Sequence, residues 1–584
     1  MSDNLEQQLF SKQAGFEATL GTFDQRVKTA LKELKENQII EKIWNLDHTV
    51  WKPEPTEISN RLGWLVSPKG MMDSIAEIEA FVEEVREAGY THAMLLGMGG
   101  SSLAPEVFRF TFGVKDGYLD LAVLDSTEPG AVLEFAEKLN PAKTLFIVST
   151  KSGGTVETLS FFKYFYNWVS DSLAADQAGE HFIAITDPGS FLEQTAKKLN
   201  FRKTFLNDPN IGGRFSVLSY FGLVPAALIG MDLKLFLERS SKMAANCSDS
   251  ENNSGAWFGS IMAELALCGR DKLTLIASPQ IAHFGLWAEQ LVAESTGKEG
   301  KGILPVDGEE VGSPEVYAQD RLFVYMKLAA DSTYDSRVRD LKDAGHPVVQ
   351  LNLSDLYDLG GEFFGWEFAI AVASYFLKIN PFDQPNVESA KVLTKQMVSE
   401  YHEKGKLPEL KPTLTTDGID IYTDIPVSDL EKALSIFFAF ANTGSGENTP
   451  RSYVAIQAYV LPTPETRQAL KSMQSKIRDV FRLATTVGFG PRFLHSTGQL
   501  HKGDAGNGLF IQLTADSARD LNIPDNPGRG VQLNAPTTMT FGVLNMAQAL
   551  GDRQTLLDAG RKLIRFHFRK EVVEGIKQIE QAIS

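Results

Sequence analysis

The chain has 584 residues, 43% hydrophobic and 22% charged, with 48 Gly, 25 Pro and 37 Phe. This balance excludes a disordered, collagen-like or repeat-biased chain and leaves length for several buried cores, roughly one unit per 150 residues. Acidic residues outnumber basic ones 74 to 57, a net charge of −17, which argues against nucleic acid or an anionic membrane as a partner. An anionic ligand therefore needs a locally positive pocket.

Two cysteines, Cys247 and Cys268, make neither a disulfide framework nor a metal-spaced cluster, as expected of a reducing compartment. The start, Met1 to Glu6, lacks a basic run followed by an apolar core, so no signal peptide is read. The apolar stretches Phe221 to Met231, with Pro225, and Gly365 to Ile379, with Glu367, are too short and interrupted to span a bilayer. A cytoplasmic location without membrane contact is expected.

In chain order, residues 1–80 read as a helical, Trp-marked arm, with charged helix formers from Asp24 to Ile43, serving as a lid or packing arm. From Thr91, short apolar runs alternate with helical segments: Ala93–Leu96, Leu121–Leu124, Thr144–Val148 and Phe182–Ile185. That is the pattern of parallel strands buried on both faces, and it predicts a first α/β domain over 81–247. The polar loop Ser248 to Gly255 precedes a second domain of the same plan over 256–403. Its predicted strands are Leu273–Ala277, Leu322–Leu328 and Val348–Leu353, with helices near 256–267, through Glu294, over Asp335–Asp343 and from Gly365. After the Lys404 to Pro412 linker, residues 415–584 mix helices with strands such as Ser452–Val460 and Leu509–Leu513 and read as an α+β domain.

The clearest motif, Ser149-Thr-Lys-Ser-Gly-Gly-Thr-Val-Glu157, lies between a strand and a helix. Free backbone N–H groups and the positive end of the helix dipole converge there, so the turn reads as a phosphate cradle, with hydroxyl donors on Thr150, Ser152 and Thr155 around Lys151. The order is not that of a Walker motif, which disfavours a nucleoside triphosphate. An earlier turn, Gly97-Met-Gly-Gly-Ser101, also follows a strand. Gly100 allows close backbone approach and Ser101 can bond a sugar hydroxyl, while the spacing does not fit a dinucleotide fingerprint.

With Gly212-Gly-Arg-Phe-Ser-Val217, Ala293-Glu-Ser-Thr-Gly-Lys298 and Asn380 to Lys391, these motifs resemble, in order and spacing over about residues 90–400, the phosphoglucose isomerase family, built from two sugar-isomerase (SIS) domains. The C-terminal third resembles the isomerase half of bacterial transaldolase/phosphoglucose isomerase fusions. The resemblance implies an α/β fold with two SIS-type doubly wound parallel sheets plus the C-terminal α+β domain. The implied activity is glucose 6-phosphate/fructose 6-phosphate interconversion through a cis-enediol, without cofactor or metal, in a monomer or homodimer. A dual isomerase that also takes mannose 6-phosphate and a non-catalytic sugar-phosphate sensor are the alternatives.

Those residues suit the chemistry. Glu294 is expected as the base for the C1/C2 proton, Arg214 as a fixed positive charge for the enediolate, Lys391 as an aid to ring opening and Gln384 as a ligand contact. The family pattern implies a histidine soon after the glutamate, but the only one between Glu294 and Lys391 is His346, in a helix-to-strand turn. Phe493-Leu-His-Ser-Thr-Gly-Gln499 resembles the missing segment. The C-terminal domain is therefore expected to deliver His495 into the site, with His501 as the competing candidate.

Overall fold

The computed structural model describes residues 12–13, 15–173, 176–444, 450–528 and 537–584, without the side chains of residues 12, 13 and 389–391. Three sheets organise it. The first has five parallel strands in spatial order Asp120–Leu124, His92–Gly97, Thr144–Ser149, Phe182–Thr186 and Lys203–Leu206. Its central strands are apolar throughout because helices cover both faces. The chain-order reversal falls between His92–Gly97 and Thr144–Ser149.

The second sheet holds the predicted strands as Lys272–Ala277, Arg321–Leu328 and Val348–Leu353, all parallel, with the short strand Leu304–Val306 at one edge. Its other edge is closed by a hairpin from the N-terminal arm, where Phe16–Thr19 pairs antiparallel with Val348–Leu353. The arm is thus woven into the second unit, and one apolar cluster runs continuously from Phe16 through both sheets to Phe382. Its long helix divides into Asp24–Glu36 and Ile39–Trp44, because Gln38 adopts a left-handed conformation (φ 53°) that ends the hydrogen-bond ladder. The helix Asp335–Asp343 forms as read, and the one expected from Gly365 starts earlier, at Leu359, and runs to Leu377 in the core.

The C-terminal third mixes helices with strands, as expected, and its strands are mostly parallel. Its sheet is mixed. Tyr453–Tyr459, Ala484–Phe489, Gly508–Ala515 and Lys562–Phe568 run parallel with helices between them, and a hairpin, Leu414–Thr416 and Ile419–Tyr422, adds antiparallel at one edge. The strands Ala484–Phe489 and Lys562–Phe568 carry polar and charged residues, among them buried Thr485, Thr486 and Arg565, which obscure the apolar run a parallel strand usually shows. Among the described residues no helix is long and apolar enough to cross a membrane.

Candidate active site

Gly97 lies in register with Ser149 on the adjacent strand, so the two glycine-bearing turns diverge where the strand order reverses, the position at which open α/β sheets bind ligands. A Cβ on Gly100 would stand 1.9 Å from the Gly213 carbonyl oxygen, so only glycine lets the 99–101 turn touch the turn that carries Arg214. Gly99 has φ 53°, and a Cβ there would lie 3.0 Å from both Gln290 Nε2 and the His495 carbonyl. Buried Ser101 accepts at its carbonyl a 3.2 Å bond from Ser149 Oγ.

The helix after the phosphate turn, Val156–Ser172, has no side-chain cap at Thr155, leaving its positive N-terminal end available to an anion. The Thr150 and Thr155 hydroxyls are 3.0 Å apart and Ser152 Oγ accepts from the Gly154 N–H at 3.3 Å, so the turn is shaped by its own hydroxyls. Lys151 is already engaged. Its ammonium pairs with Asp187, just beyond the neighbouring strand, and donates to the Pro209 carbonyl at 2.9 Å, tying the turn to the sheet.

Arg214 is 3% exposed and held from every side. Nε donates to Ser295 Oγ at 2.9 Å, Nη2 to the carbonyls of Pro381 and Asp383, and Nη1 to Gln384 Oε1 at 3.1 Å. Its remaining neighbour is Glu294, with Nη1 to Oε1 at 3.4 Å. Gln384 is thereby oriented with its oxygen on the guanidinium and its amide NH2 free of protein partners among the described residues. The Lys298 ammonium, almost fully buried, donates to the Asp383 carbonyl at 2.6 Å and carboxylate at 2.7 Å, fixing the strap that holds Arg214. Burial, then the Arg214 charge, push its pKa down to about 8. The N-terminal arm braces this corner from behind: Trp64 packs on Phe215 (5.2 Å between centroids) and Trp51 on Phe382 (5.0 Å).

His495 ends the short helix Arg492–His495 and reaches the same place. Its Nε2 lies 3.0 Å from Glu157 Oε1, in the first turn of the helix Val156–Ser172, and its carbonyl accepts from Gln290 Nε2 at 2.8 Å. Gln290 Nε2 also donates to Glu294 Oε2 at 3.0 Å. The C-terminal third thus places a histidine between the helix Val156–Ser172 and the glutamate. His501 is elsewhere: it is buried against Tyr453, Phe493 and Phe510, with Gln457 at 3.4 Å, and burial holds its pKa well below the usual value. His346 is buried beside Tyr317 and Phe323.

Lys391 lies in the helix Val387–Lys404, and its side chain is outside the described residues. One turn on, Thr394 and Lys395 line a cavity of about 310 Å³ together with Ser152, Thr155, Glu157 and His495. Gln499 anchors that helix: its oxygen accepts from the Asn386 N–H at 2.9 Å, and its amide donates to Asn386 Oδ1 at 2.7 Å and the Gly297 carbonyl at 2.9 Å.

Four participants were not singled out from sequence: Glu157, Gln290, Lys298 and Gln499. Gln290 had a signal, since it stands one helical turn before Glu294 and so shares its face. Glu157 had one too, as an acid in the first turn of an uncapped helix. Lys298 and Gln499 act through segments distant in the chain, which no local pattern reveals.

Solved structures share this fold over about two thirds of the chain. A hypothetical protein from Thermus thermophilus aligns with a TM-score of 0.55 at 24% identity, over 65% of this chain and 99% of its own. A glucose-6-phosphate isomerase from Chlamydia trachomatis aligns with a TM-score of 0.56 at 17% identity, over 67% of this chain and 89% of its own. In sequence, residues 70–301 match the phosphoglucose isomerase family. The glucose-6-phosphate isomerase of Thermus thermophilus is 27% identical over 394 residues, covering 59% of this chain and 91% of the relative. That of Carboxydothermus hydrogenoformans is 29% identical over 400 residues, covering 57% and 84%.

Proposed function

We propose that this chain is an aldose–ketose isomerase that interconverts glucose 6-phosphate and fructose 6-phosphate by proton transfer through a cis-enediol. The observation that carries the reading is the contact chain Glu157–His495–Gln290–Glu294, which joins the anion-ready helix to the carboxylate beside Arg214. Its likeness to the named isomerases adds support.

The phosphate sits on the turn formed by Thr150, Ser152 and Thr155, with Lys151 holding that turn in place. The sugar lies across Gly100 and Ser101 towards Glu294. His495 Nε2–H donates to Glu157, which leaves Nδ1 as the acceptor that takes the O1 proton and passes it to the ring oxygen as the C1–O5 bond breaks. Lys391 assists at the ring. Glu294 removes the proton from C2 and returns it to C1, or the reverse. The Arg214 charge stabilises the enediolate, and because its hydrogen bonds are already made, no reorganisation is needed at that moment. Gln384 offers its amide to a sugar oxygen.

The histidine arrives in cis, so one chain suffices for the site. The C-terminal third is read as the type joined to transaldolase in bacterial fusions, without a transaldolase part evident in this sequence. A cytoplasmic location and the unit boundaries 1–80, 81–247, 256–403 and 415–584 belong to the same reading.

The test is turnover of fructose 6-phosphate by purified protein with EDTA present, beside release to solvent of deuterium placed at C2 of glucose 6-phosphate. Both are expected in the wild type and lost in Glu294→Gln. Undiminished turnover in that variant would remove the assignment.

A further inference from the structure

The two sides of one helix end divide the molecule around His495. On Phe284–Thr296, Gln290 holds the His495 carbonyl from the active-site side. Its neighbour Glu289, about 100° round the same helix, accepts a 2.9 Å bond from Ser496 Oγ. Behind Ser496 lies a second cavity, of about 210 Å³, walled by all three units: Leu103 from the first, Glu289 and Asp307 from the second, and Arg467, Lys471 and Arg492 from the third.

The polar groups there are incompletely matched. Arg467 lies 4.7 Å over the Phe489 ring and makes no hydrogen bond or ion pair among the described residues. Arg492 pairs through Nε with Asp125 at 3.2 Å, but its Nη2 is buried without a hydrogen bond. Lys471 reaches only Glu310, at 3.3 Å on the exposed rim. Across the cavity, Glu289 and Asp307 are half-buried and have no cationic partner within ion-pair distance among the described residues. Burial and their mutual proximity push Glu289 up to about 7, and burial raises Asp307 to about 6. Asp307 is held against Gly285, where a Cβ would meet its Oδ1 at 1.9 Å.

The buried, unpaired Nη2 of Arg492 carries a cost that an anion removes, and the exposed Arg467 and half-buried Lys471 stand at the mouth with their charges open to a ligand. Carboxyl groups opposite them are acceptors for hydroxyls. We infer that this cavity is a second ligand site, distinct from the catalytic cleft, that takes a small polyhydroxylated phosphate ester, with the phosphate on Arg467, Lys471 and Arg492 and the hydroxyls on Glu289 and Asp307. The volume, below the about 300–1,000 Å³ of pockets for drug-sized ligands, suits a triose-sized molecule. Because Glu289 and Arg492 both grip the segment that carries His495, the occupied site alters turnover without occupying the cleft.

sn-Glycerol 3-phosphate is the probe, with inorganic phosphate as its control, and calorimetry counts sites per chain. The wild type is expected to bind two molecules of the ester. Thr150→Val/Thr155→Val removes the cleft site alone. Arg467→Ala/Lys471→Ala removes the second site, weakening it about tenfold or more, while turnover without the ester stays at the wild-type level. Asp307→Asn should weaken the ester but leave inorganic phosphate unchanged. A single site per chain that Arg467→Ala/Lys471→Ala does not affect overturns the proposal. Equal affinity for the ester and inorganic phosphate overturns its polyol half. Binding is read without catalysis, so a chain inactive on sugar phosphates still decides this question separately from the isomerase reading.

Discussion

The first and third sheets share a parallel plan but serve the site in different ways. The first contributes what its topology makes inevitable: two turns on adjacent strands, at the point where the strand order reverses, facing one crevice. The third contributes a loop from its periphery, the short helix Arg492–His495 beyond the edge strand Ala484–Phe489, which is placed by clasps on other units. A site on strand ends is positioned by the sheet itself, whereas a borrowed loop is only as precise as the contacts that hold it.

The largest expected effect breaks the borrowed part. His495→Ala should lower kcat on the cyclic sugar phosphate by about 10²–10⁴-fold, the usual worth of a positioned acid–base group, with the thermal melt little changed. Steady-state kinetics beside a melt separate the two; wild-type kcat in His495→Ala would leave the third sheet without a catalytic part. The matching break in the first sheet is Gly100→Ala. Its methyl must displace the Gly213 carbonyl, now 1.9 Å from that position, and shift Arg214 with it. A displacement of an ångström can cost about 100-fold, so kcat/KM should fall by about that factor.

Sharpening the comparison requires the clasps. Gln499→Ala removes the side-chain bonds to the Asn386 N–H and the Gly297 carbonyl, and a loss of about 1–3 kcal/mol is expected in chemical denaturation. His501, in the same segment as His495, should affect stability alone. Its pKa is lowered in the folded chain, so the unfolded chain binds the proton more readily. The stability is present above the unfolded value near 6.5 and is lost as pH falls below it. His501→Gln should flatten that acid decline without changing kcat. A kcat loss in this variant instead would exchange the roles of the two histidines.

No effect on activity is expected from a buried acid in the core helix Leu359–Leu377. Glu367 is buried with neither oxygen hydrogen-bonded among the described residues, and burial raises its pKa well above the usual value. The unfolded carboxyl ionises near 4.3, so folding loses stability as pH climbs past that value. Glu367→Leu should raise the melting temperature at pH 8 more than at pH 5, with turnover unchanged.

The sequence by itself determined the parallel strands of the first two sheets, because strands buried on both faces are continuously apolar, and it marked the turns between them by their small, hydroxyl-bearing residues. It also carried Glu294, Arg214 and His495 as candidates, through motifs local in the chain. Only the tertiary structure decided that the N-terminal arm is a sheet edge and brace rather than a lid, since Phe16, Trp51 and Trp64 find their partners far away in the chain. It alone separated His495 from His501, which share one short segment. Whether an imidazole meets Glu157 or an aromatic box depends on the side of the loop it leaves from and on what packs there. It also showed Lys151 paired with Asp187, because a lysine's charge is available to a ligand only if no carboxylate from a neighbouring strand reaches it first.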